Sequence, residues 1–429
     1  MSSISQLVAN HRPSLGPLED LYRHYHANPE LSNREFQTAA HIAAQLREIS
    51  PDFRIKRHIG GHGLAAILAN GDGPVVLLRA DIDGLPVLER TGLPYASSVR
   101  MNDASRVEKP VMHACGHDMH ITCLLGAAKV LFSARDAWAG TVVLAFQPAE
   151  ERGTGAQAMV DDGMYDEDRH GVPVPDVAIG AHVMPFRAGA IGTRRGLMAT
   201  SADSLRVTLH GRGSHASMPH RAVDPVVMAA STVMRLQTIV SREVDPADSA
   251  VITVASIHAG DAENVIADDA TLSIDTRSIT QGTRDRVLGR IKDVVRAESA
   301  AAMAVREPTF ETTRSFPLTV NDAAVTAMIE ETFAAHFGEG KGQYNRDVPR
   351  LAVSEDFSIL ATAVGKPYCF FLYGGTSHRL WDQAEREGTL EQRVPTNHSG
   401  LFAPAISPTL QTGLDGYAVA ALTFLAKQQ

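Results

Sequence analysis

Short apolar runs alternate with longer helical patterns along much of the chain. The runs at residues 64–69, 75–78, 141–146 and 177–180 have the length of single buried strands and end in turn or polar residues. From residue 121 to 132 the apolar side chains recur instead at helical spacing. Strands and helices that alternate in this way predict an α/β domain.

Helical periodicity is also clear near both ends of the chain. Residues 15–49 are predicted to be helical around a turn at Asn28-Pro29, because proline disfavours helix in the residue before it. Residues 322–337 and 409–427 show the same periodicity, and residues 354–357 are expected to open another helix.

A different pattern separates these two parts. Residues 204–210, 250–257 and 270–277 alternate apolar with polar side chains, which predicts half-exposed antiparallel strands. One helix is predicted to begin at Asp224-Pro225, with aspartate as N-cap and proline in the first turn, and another covers 283–303. The segment is therefore predicted to be a small α+β domain inserted into the α/β domain.

The length of the chain agrees with this division. At 429 residues it exceeds what one hydrophobic core usually serves, which favours two domains. We place the inserted domain at residues 197–312 and build the larger domain from residues 1–196 and 313–429.

Composition narrows the class of protein. A net charge of -9, with 44% hydrophobic and 21% charged residues, is typical of a soluble protein and argues against nucleic acid or an anionic membrane as partner. No run reaches the ~20 apolar residues of a membrane helix, and the first 21 residues contain no apolar segment of a signal peptide. Three unevenly spaced cysteines do not form a disulfide framework, so we expect a cytoplasmic protein.

The densest cluster of reactive side chains lies at residues 111–120. It contains Cys115, His117 and two further histidines directly before the helical pattern. A thiolate and imidazoles suit zinc or a similar divalent ion. Taken singly, each residue is more typical of a small buried cysteine or a solvated histidine, but the cluster as a whole favours a metal site.

Polar residues also follow three predicted strands. Asp81 and Asp83 point the same way at the end of one strand, and Glu150 and Glu151 follow the next. Adjacent carboxylates point in different directions, so one can bind a metal while its neighbour acts as a general base. His182 ends a third strand. Without a metal, the two aspartates would belong to a capped turn, the two glutamates would form a solvated acidic turn, and His182 would be a structural histidine.

Five motifs together resemble a known family. They are Arg-Ala-Asp-Ile-Asp at 79–83, Met-His-Ala-Cys-Gly-His-Asp at 112–118, Gln-Pro-Ala-Glu-Glu at 147–151, Gly-Ala-His-Val at 180–183 and Asn-His at 397–398. Their order and spacing are similar to those of the M20 metallo-aminoacylases, in the branch of hippurate hydrolases, N-acyl-amino-acid amidohydrolases and auxin-conjugate hydrolases. The resemblance covers about residues 22 to 425.

The resemblance implies a fold and a metal centre. The fold would be a zinc-peptidase-like α/β/α sandwich with an inserted four-stranded, ferredoxin-like lid that mediates dimerisation. The centre would hold two divalent metal ions, with zinc favoured and manganese, cobalt or nickel as alternatives. Cys115 would bridge the ions, and Glu150 would be the general base. Asp83 and Asp81 would orient the metal ligands without binding the ions themselves. The remaining ligands would be His117, Glu151, His182 and His398.

The resemblance also implies substrate contacts in the inserted domain. His215 would stabilise the oxyanion across a dimer, and Asn264 and Arg277 would bind a substrate carboxylate. Alternatively, His215 is an exposed loop residue, and Arg277 is paired with Asp275 or Glu263. Three departures from the family pattern, Ser214, Val353 and Ala267, remove no ligand. Ser214 and Ala267 lie near the expected substrate pocket and put inherited substrate specificity in question.

The expected function is hydrolysis of N-acyl-L-amino acids to a carboxylic acid and an amino acid by metal-activated water. We expect a small-molecule substrate and a homodimer or higher homo-oligomer. The alternatives are a dipeptidase or carbamoylase on the same scaffold, or a binding protein that has lost catalysis.

Overall fold

A computed structural model describes residues 3–340 and 343–427. The chain divides into two compact units. The larger unit contains Met1–Met198, Val320–Arg350 and Asp356–Gln429, and the smaller unit contains Ala199–Thr319 and Leu351–Glu355. No helix in the described part of the chain is long and apolar enough to cross a membrane.

The helices and strands are numbered in chain order. The α-helices are Ile4–His11 (α1), Leu15–Ala27 (α2), Phe36–Ile49 (α3), His117–Ser133 (α4), Gly155–Asp161 (α5), Pro225–Glu243 (α6), Gln281–Ala301 (α7), Ala323–Phe337 (α8), Ile359–Thr362 (α9), His378–Glu387 (α10), Leu390–Arg393 (α11) and Ile406–Leu425 (α12). The strands are Arg54–Ile59 (β1), Gly63–Asn70 (β2), Val75–Asp81 (β3), Arg100–Asn102 (β4), Glu108–Pro110 (β5), Gly140–Gln147 (β6), Val177–Arg187 (β7), Ile191–Gly192 (β8), Gly196–Ala199 (β9), Ser201–His210 (β10), Ser214–His215 (β11), Ala250–His258 (β12), Val265–Ile266 (β13), Asp269–Ser278 (β14), Thr309–Phe316 (β15), Thr319–Asn321 (β16), Tyr344–Asn345 (β17) and Tyr368–Thr376 (β18).

An eight-stranded sheet forms the centre of the larger unit, in the order β1-β2-β6-β3-β7-β18-β8-β17. The four middle strands β6, β3, β7 and β18 run parallel. Their carboxyl ends therefore meet at one edge, where α/β sheets usually carry their sites. The register places Asp81 of β3 opposite Gln147 of β6, so the segments that follow both strands start side by side.

Two buried helices, α4 and α12, pack against this sheet. Almost every residue of α4 is buried, because the helix is apolar nearly all round. Helix α12 packs against α4 and against several sheet strands. Tyr417 on α12 donates a hydrogen bond of 2.7 Å to the carbonyl oxygen of Arg79 in β3. The C-terminal helix is thus tied directly to the strand that ends at the predicted site.

The smaller unit is an α+β structure with its own core. Its four-stranded antiparallel sheet has the order β12-β14-β10-β15, and α6 and α7 pack on it. Side chains such as Val207, Leu272 and Val287 are fully buried between them. Asp224 caps α6 as predicted, accepting hydrogen bonds from two backbone N–H groups of its first turn. The predicted fold class, α/β with a four-stranded α+β unit, is confirmed.

Some local predictions differ from the structure. The predicted helical segment 15–49 forms two helices, α2 and α3, on either side of Asn28-Pro29. No helix opens at residues 354–357, because the Asp356 carboxylate accepts from Gln147 Nε2 at 2.6 Å and from the Ala156 N–H at 3.1 Å instead of capping a helix. Helix α9 begins only at Ile359.

Candidate metal centre

Two aspartates at the end of β3 lie against the same imidazole. Asp83 Oδ1 is 3.2 Å from His117 Nδ1, and Asp81 Oδ2 is 3.6 Å from His117 Nε2. Asp81 also accepts hydrogen bonds from Arg79 Nη1 at 2.8 Å and from His120 Nδ1 at 2.5 Å. Both carboxylate oxygens of Asp81 therefore accept hydrogen bonds from other side chains, whereas Asp83 Oδ1 has no hydrogen bond among the described residues.

A glycine fixes the turn between two of the candidate ligands. Gly116 precedes α4 with a φ of +88°, and a Cβ at this position would lie 2.3 Å from Val183 Cγ1. Glycine is the residue that tolerates both the left-handed backbone and the close approach. Cys115 is thereby held just before the turn, and His117 is the first residue of the helix.

Cys115 and His182 face one another from different elements. The Cys115 Sγ lies 3.4 Å from Nε2 of His182 in β7. His182 Nδ1 lies 2.7 Å from the carbonyl oxygen of Val183 and donates its proton there. The lone pair on Nε2 then points towards the sulfur, which is the form of histidine that binds a metal. Ligand atoms of Cys115, His117 and His182 all lie within 4.8 Å of one another.

A second group of potential ligands includes a residue from the C-terminal part of the chain. His398 has a left-handed backbone, and its N–H donates to the Ala114 carbonyl oxygen at 2.8 Å. Its Nε2 lies 3.3 Å from Glu151 Oε1. Asn397 donates to the Cys115 carbonyl oxygen at 3.1 Å. Cys115, Glu151 and His398 also place ligand atoms within 4.8 Å of one another, so the two groups share the cysteine sulfur.

The turn that carries the two glutamates is held by buried carboxylates. Ala149 adopts a left-handed backbone with a φ of +47°, which is uncommon outside glycine, and its N–H donates to Glu35 Oε1 at 2.8 Å. The Glu151 N–H donates to Asp83 Oδ2 at 3.1 Å. Glu150 lies between these two anchors. Glu35 was not identified from the sequence, and no sequence motif marks its contact with Ala149.

The glutamate side chains reach the same imidazole as the aspartates. His117 Nε2 lies 3.8 Å from Glu151 Oε1 and 3.9 Å from Glu150 Oε2. Both glutamates are almost completely shielded from solvent. The structure therefore brings together, in the larger unit, every side chain that the sequence assigned to the metal centre and its base.

The electrostatics of this cluster fit a cation. Burial raises the pKa of the Cys115 thiol well above its usual range, and Glu151, Glu150 and Asp81 raise it further. Burial alone would lower the pKa of His117, but the charges of Asp81, Asp83 and Glu151 raise it to about 10. This buried cluster therefore has too little positive charge to balance its carboxylates.

Unsatisfied atoms point to the same conclusion. Nε2 of His117 and Oε1 of Glu151 are buried without a hydrogen-bond partner among the described residues. Such orphaned atoms are rare in folded proteins and call for an ion or water. Sulfur, imidazole and carboxylate donors suit zinc and neighbouring divalent ions, so the residues present fit two such ions that share Cys115.

The three predicted substrate-binding residues all belong to the smaller unit. His215 in β11 pairs with Val265 in β13, and its exposed ring accepts from the Ser217 hydroxyl at 2.7 Å. Asn264 directly precedes β13, and its carbonyl oxygen accepts from the Ala216 N–H at 2.9 Å, which brings it beside His215.

Arg277 lies apart from this pair, on β14. Its Nε donates to Asp275 Oδ2 at 3.1 Å, and Nη1 donates to the Ser354 hydroxyl at 2.9 Å. The side chain is 31% exposed.

Comparison with known proteins identifies the family. The model of peptidase family M20/M25/M40 matches residues 77–394. N-acetyl-L-cysteine deacetylase of Bacillus subtilis (strain 168) is 37% identical over 350 residues, which cover 81% of this chain and 78% of that protein. Hippurate hydrolase of Campylobacter jejuni is 35% identical over 357 residues, with coverage of 83% and 88%.

A solved structure agrees with the sequence relatives. The Bacillus subtilis YXEP protein, described as a dinuclear metal-binding peptidase of the M20 family, superposes with a TM-score of 0.72 at 26% identity. The match covers 95% of this chain and 97% of that one. The family expected from the five motifs is confirmed: the chain belongs to peptidase family M20/M25/M40 and is a metal-dependent amidohydrolase.

Proposed function

We propose that the protein hydrolyses the amide bond of N-acyl-L-amino acids to a carboxylic acid and an amino acid. The observation that carries this proposal is the pair of ligand groups that share the Cys115 sulfur, with Glu150 next to them. Relatives named for the hydrolysis of N-acetyl-L-cysteine and hippurate support this substrate class.

One ion would be held by Cys115, His117 and His182, and the other by Cys115, Glu151 and His398. We propose zinc, because a thiolate and imidazoles favour it, with manganese, cobalt or nickel as substitutes. When bound, the ions supply positive charge that polarises the scissile carbonyl and lowers the pKa of water.

Glu150 would move the proton in this reaction. Its carboxylate accepts a proton from the attacking water as the water oxygen forms a bond to the carbonyl carbon. The same group then donates that proton to the amide nitrogen as the C–N bond breaks, so a neutral amine leaves. The Ala149 and Glu151 N–H contacts fix the backbone on both sides of Glu150, so the base keeps its position in both steps.

The smaller unit would supply the substrate contacts. We propose that residues 197–312 act as a lid and dimerisation domain, with His215 donating to the oxyanion. Asn264 and Arg277 would bind the substrate carboxylate. Asp275 and Ser354 hold Arg277 through Nε and Nη1, which leaves the guanidinium group pre-oriented for a bidentate contact.

The test is amide hydrolysis by protein stripped with a chelator and reloaded with zinc or manganese. Hippurate, N-acetyl amino acids, indoleacetyl amino acids and dipeptides form the panel, with Glu150→Gln beside wild type and the exposed Glu167→Gln as matched control. We expect metal-dependent turnover of N-acyl amino acids that only Glu150→Gln loses, while its metal content stays at the wild-type value. No turnover of any N-acyl amino acid by metal-loaded wild type would refute the proposal.

A further inference from the structure

The loop that leads into His215 is fixed at its base by one acidic residue. Asp268 accepts from the Gly213 N–H through Oδ1 and from the Gly211 N–H through its carbonyl oxygen, each at 2.7 Å. A Cβ at position 213 would lie 2.8 Å from the Ile266 carbonyl oxygen, so glycine is the residue that fits this approach. The backbone before His215 is therefore held by contacts that do not involve the imidazole.

The backbone at His215 and after it is tied to a neighbouring strand. Strands β11 and β13 pair antiparallel, with His215 opposite Val265. The Ala216 N–H donates to the Asn264 carbonyl oxygen at 2.9 Å, and the Met218 N–H donates to the His215 carbonyl oxygen at 2.8 Å. Main-chain contacts thus fix the loop on both sides of His215, and the orientation of its ring remains to be set by other groups.

The imidazole of His215 has two hydrogen-bond partners at the same nitrogen. Nδ1 accepts from the Ser217 N–H at 3.1 Å and lies 2.7 Å from the Ser217 hydroxyl oxygen. A backbone N–H can only donate, so Nδ1 presents its lone pair and the hydroxyl donates to the same nitrogen. In the neutral ring the proton is therefore on Nε2, because the hydrogen bonds made by one ring nitrogen decide where the proton lies.

The same contacts set the direction in which the Nε2–H points. The two ring nitrogens point in widely different directions, so a ring whose Nδ1 turns back to Ser217 directs Nε2 away from this residue. Nε2 of the exposed His215 has no hydrogen-bond partner among the described residues. A donor that is oriented before the reaction stabilises a developing negative charge at no cost of reorganisation.

We propose that Ser217 is the positioning residue of His215: its N–H and its hydroxyl keep the imidazole proton on Nε2 and present that N–H to the oxyanion. The inference rests on the proposed function for the role of His215, whereas the state of the ring is measurable without turnover. No proton moves at His215 in this step. The Nε2–H donates a hydrogen bond to the carbonyl oxygen as that oxygen becomes negative, and Nδ1 remains an acceptor throughout.

The first test reads the ring directly, by nitrogen-15 NMR of metal-loaded protein with labelled histidine. The spectra distinguish a protonated from an unprotonated ring nitrogen, and the signals of His215 are those that His215→Gln loses. At about pH 8.5, above the ordinary histidine pKa of ~6.5, we expect wild type to hold the proton on Nε2. Ser217→Ala removes the hydroxyl donor, so the fraction with the proton on Nδ1 should rise by about threefold or more.

Two variants control this measurement. Ser217→Thr keeps the hydroxyl and should keep the wild-type ratio of the two forms. Ser249→Ala removes the hydroxyl of another exposed serine of the smaller unit, in the loop before β12, and should also leave the ratio unchanged. A proton on Nδ1 in wild type, or an unchanged ratio in Ser217→Ala, would overturn the inference.

The second test measures hydrolysis of an N-acyl amino acid. We expect Ser217→Ala to lower kcat by about 3–10-fold and to leave KM within about twofold, because the donor acts on the transition state. Ser217→Thr should recover most of the loss. In a His215→Ala background Ser217→Ala should have no further effect, since its role passes through the imidazole.

The two tests separate failure of this inference from failure of the proposed function. Losses that add in the double variant, or equal losses in Ser217→Ala and Ser217→Thr, would show that Ser217 does not act through the ring of His215. If metal-loaded wild type hydrolyses no N-acyl amino acid, the proposed function fails. The NMR ratio in Ser217→Ala then decides alone whether Ser217 sets the state of the imidazole.

Discussion

Asp83 Oδ1 faces His117 Nδ1 across 3.2 Å, and its second oxygen accepts the N–H of Glu151. One carboxylate thus orients the imidazole and the glutamate turn together. A negative charge beside Nδ1 keeps the proton on that nitrogen, so the lone pair of Nε2 is available to a metal.

Replacing this carboxylate should weaken the metal centre. We expect Asp83→Asn to lower the affinity for divalent metal by about 10–100-fold, because the amide cannot offer the same charge to His117. The exposed Asp72→Asn is the control. Calorimetric metal titration of both variants measures the effect, and an unchanged affinity in Asp83→Asn would contradict the orienting role.

Metal binding should release protons. The pKa of Cys115 is raised well above its usual range and that of His117 is raised to about 10, so both groups hold a proton at neutral pH without metal. Because rising pH makes these protons easier to displace, the apparent affinity for metal should rise about tenfold per pH unit for each proton released. Titration calorimetry in two buffers of different ionisation enthalpy counts the protons, with Cys369→Ser as the control cysteine. An affinity that is independent of pH would exclude this coupling.

Glu35 should act through the backbone of the glutamate turn. Glu35→Ala removes the acceptor of the Ala149 N–H, so we expect kcat to fall by about 10–100-fold with little change in KM, because Glu150 loses its position. Glu35→Gln keeps an oxygen acceptor and should recover most of the activity. Glu30→Ala, in the same segment, controls for general damage. Equal losses in Glu35→Ala and Glu35→Gln would show that the hydrogen bond is not the cause.

A buried imidazole beneath α4 should make stability depend on pH. His26 lies 2.6 Å from Asp118 and 3.0 Å from Glu89, with Tyr22 and Tyr95 against its ring. Burial alone would lower the pKa of His26, but the two carboxylates raise it to about 9.

Because the folded pKa is above the unfolded one, the stabilisation is complete below about pH 6.5 and is lost as pH rises through about 9. The two pKa values correspond to a loss on the order of 3 kcal/mol in the free energy of unfolding. Urea unfolding across this pH range should show the loss in wild type and in the exposed His24→Asn but not in His26→Asn. If the free energy of unfolding depended on pH in the same way in wild type and His26→Asn, His26 would not be the cause.

The edge of the sheet that carries the candidate metal centre was predictable because its carboxylates follow strands. Asp81 ends β3 and Glu150 follows β6, and parallel strands bring their carboxyl ends to one edge whatever the details of packing. His182 was predicted to lie at the end of a strand, but β7 continues past it to Arg187. The burial of Arg79 among Asp81 and Gln147 is a consequence of the same register.

The supporting residues were not predictable in this way. Glu35 reaches Ala149 across 114 residues of sequence, and Ser32 reaches Asp83 across 51. Such contacts depend on how the N-terminal segment packs against the sheet, and no local periodicity encodes them. His398 was identified only through the family resemblance, since its loop carries no pattern of its own.

The position of His398 has a consequence for biosynthesis. Four of the five proposed ligands are present once residue 182 has left the ribosome, but the fifth is 216 residues later, followed by the helix α12 that is tied to Arg79. A nascent chain or a product truncated before residue 398 would present a thiolate and imidazoles to the metal pool without closing the second group of ligands. We therefore expect complete metal loading only in chains that include residue 398, so a metal-to-chain ratio should separate full-length protein from degraded material in a preparation.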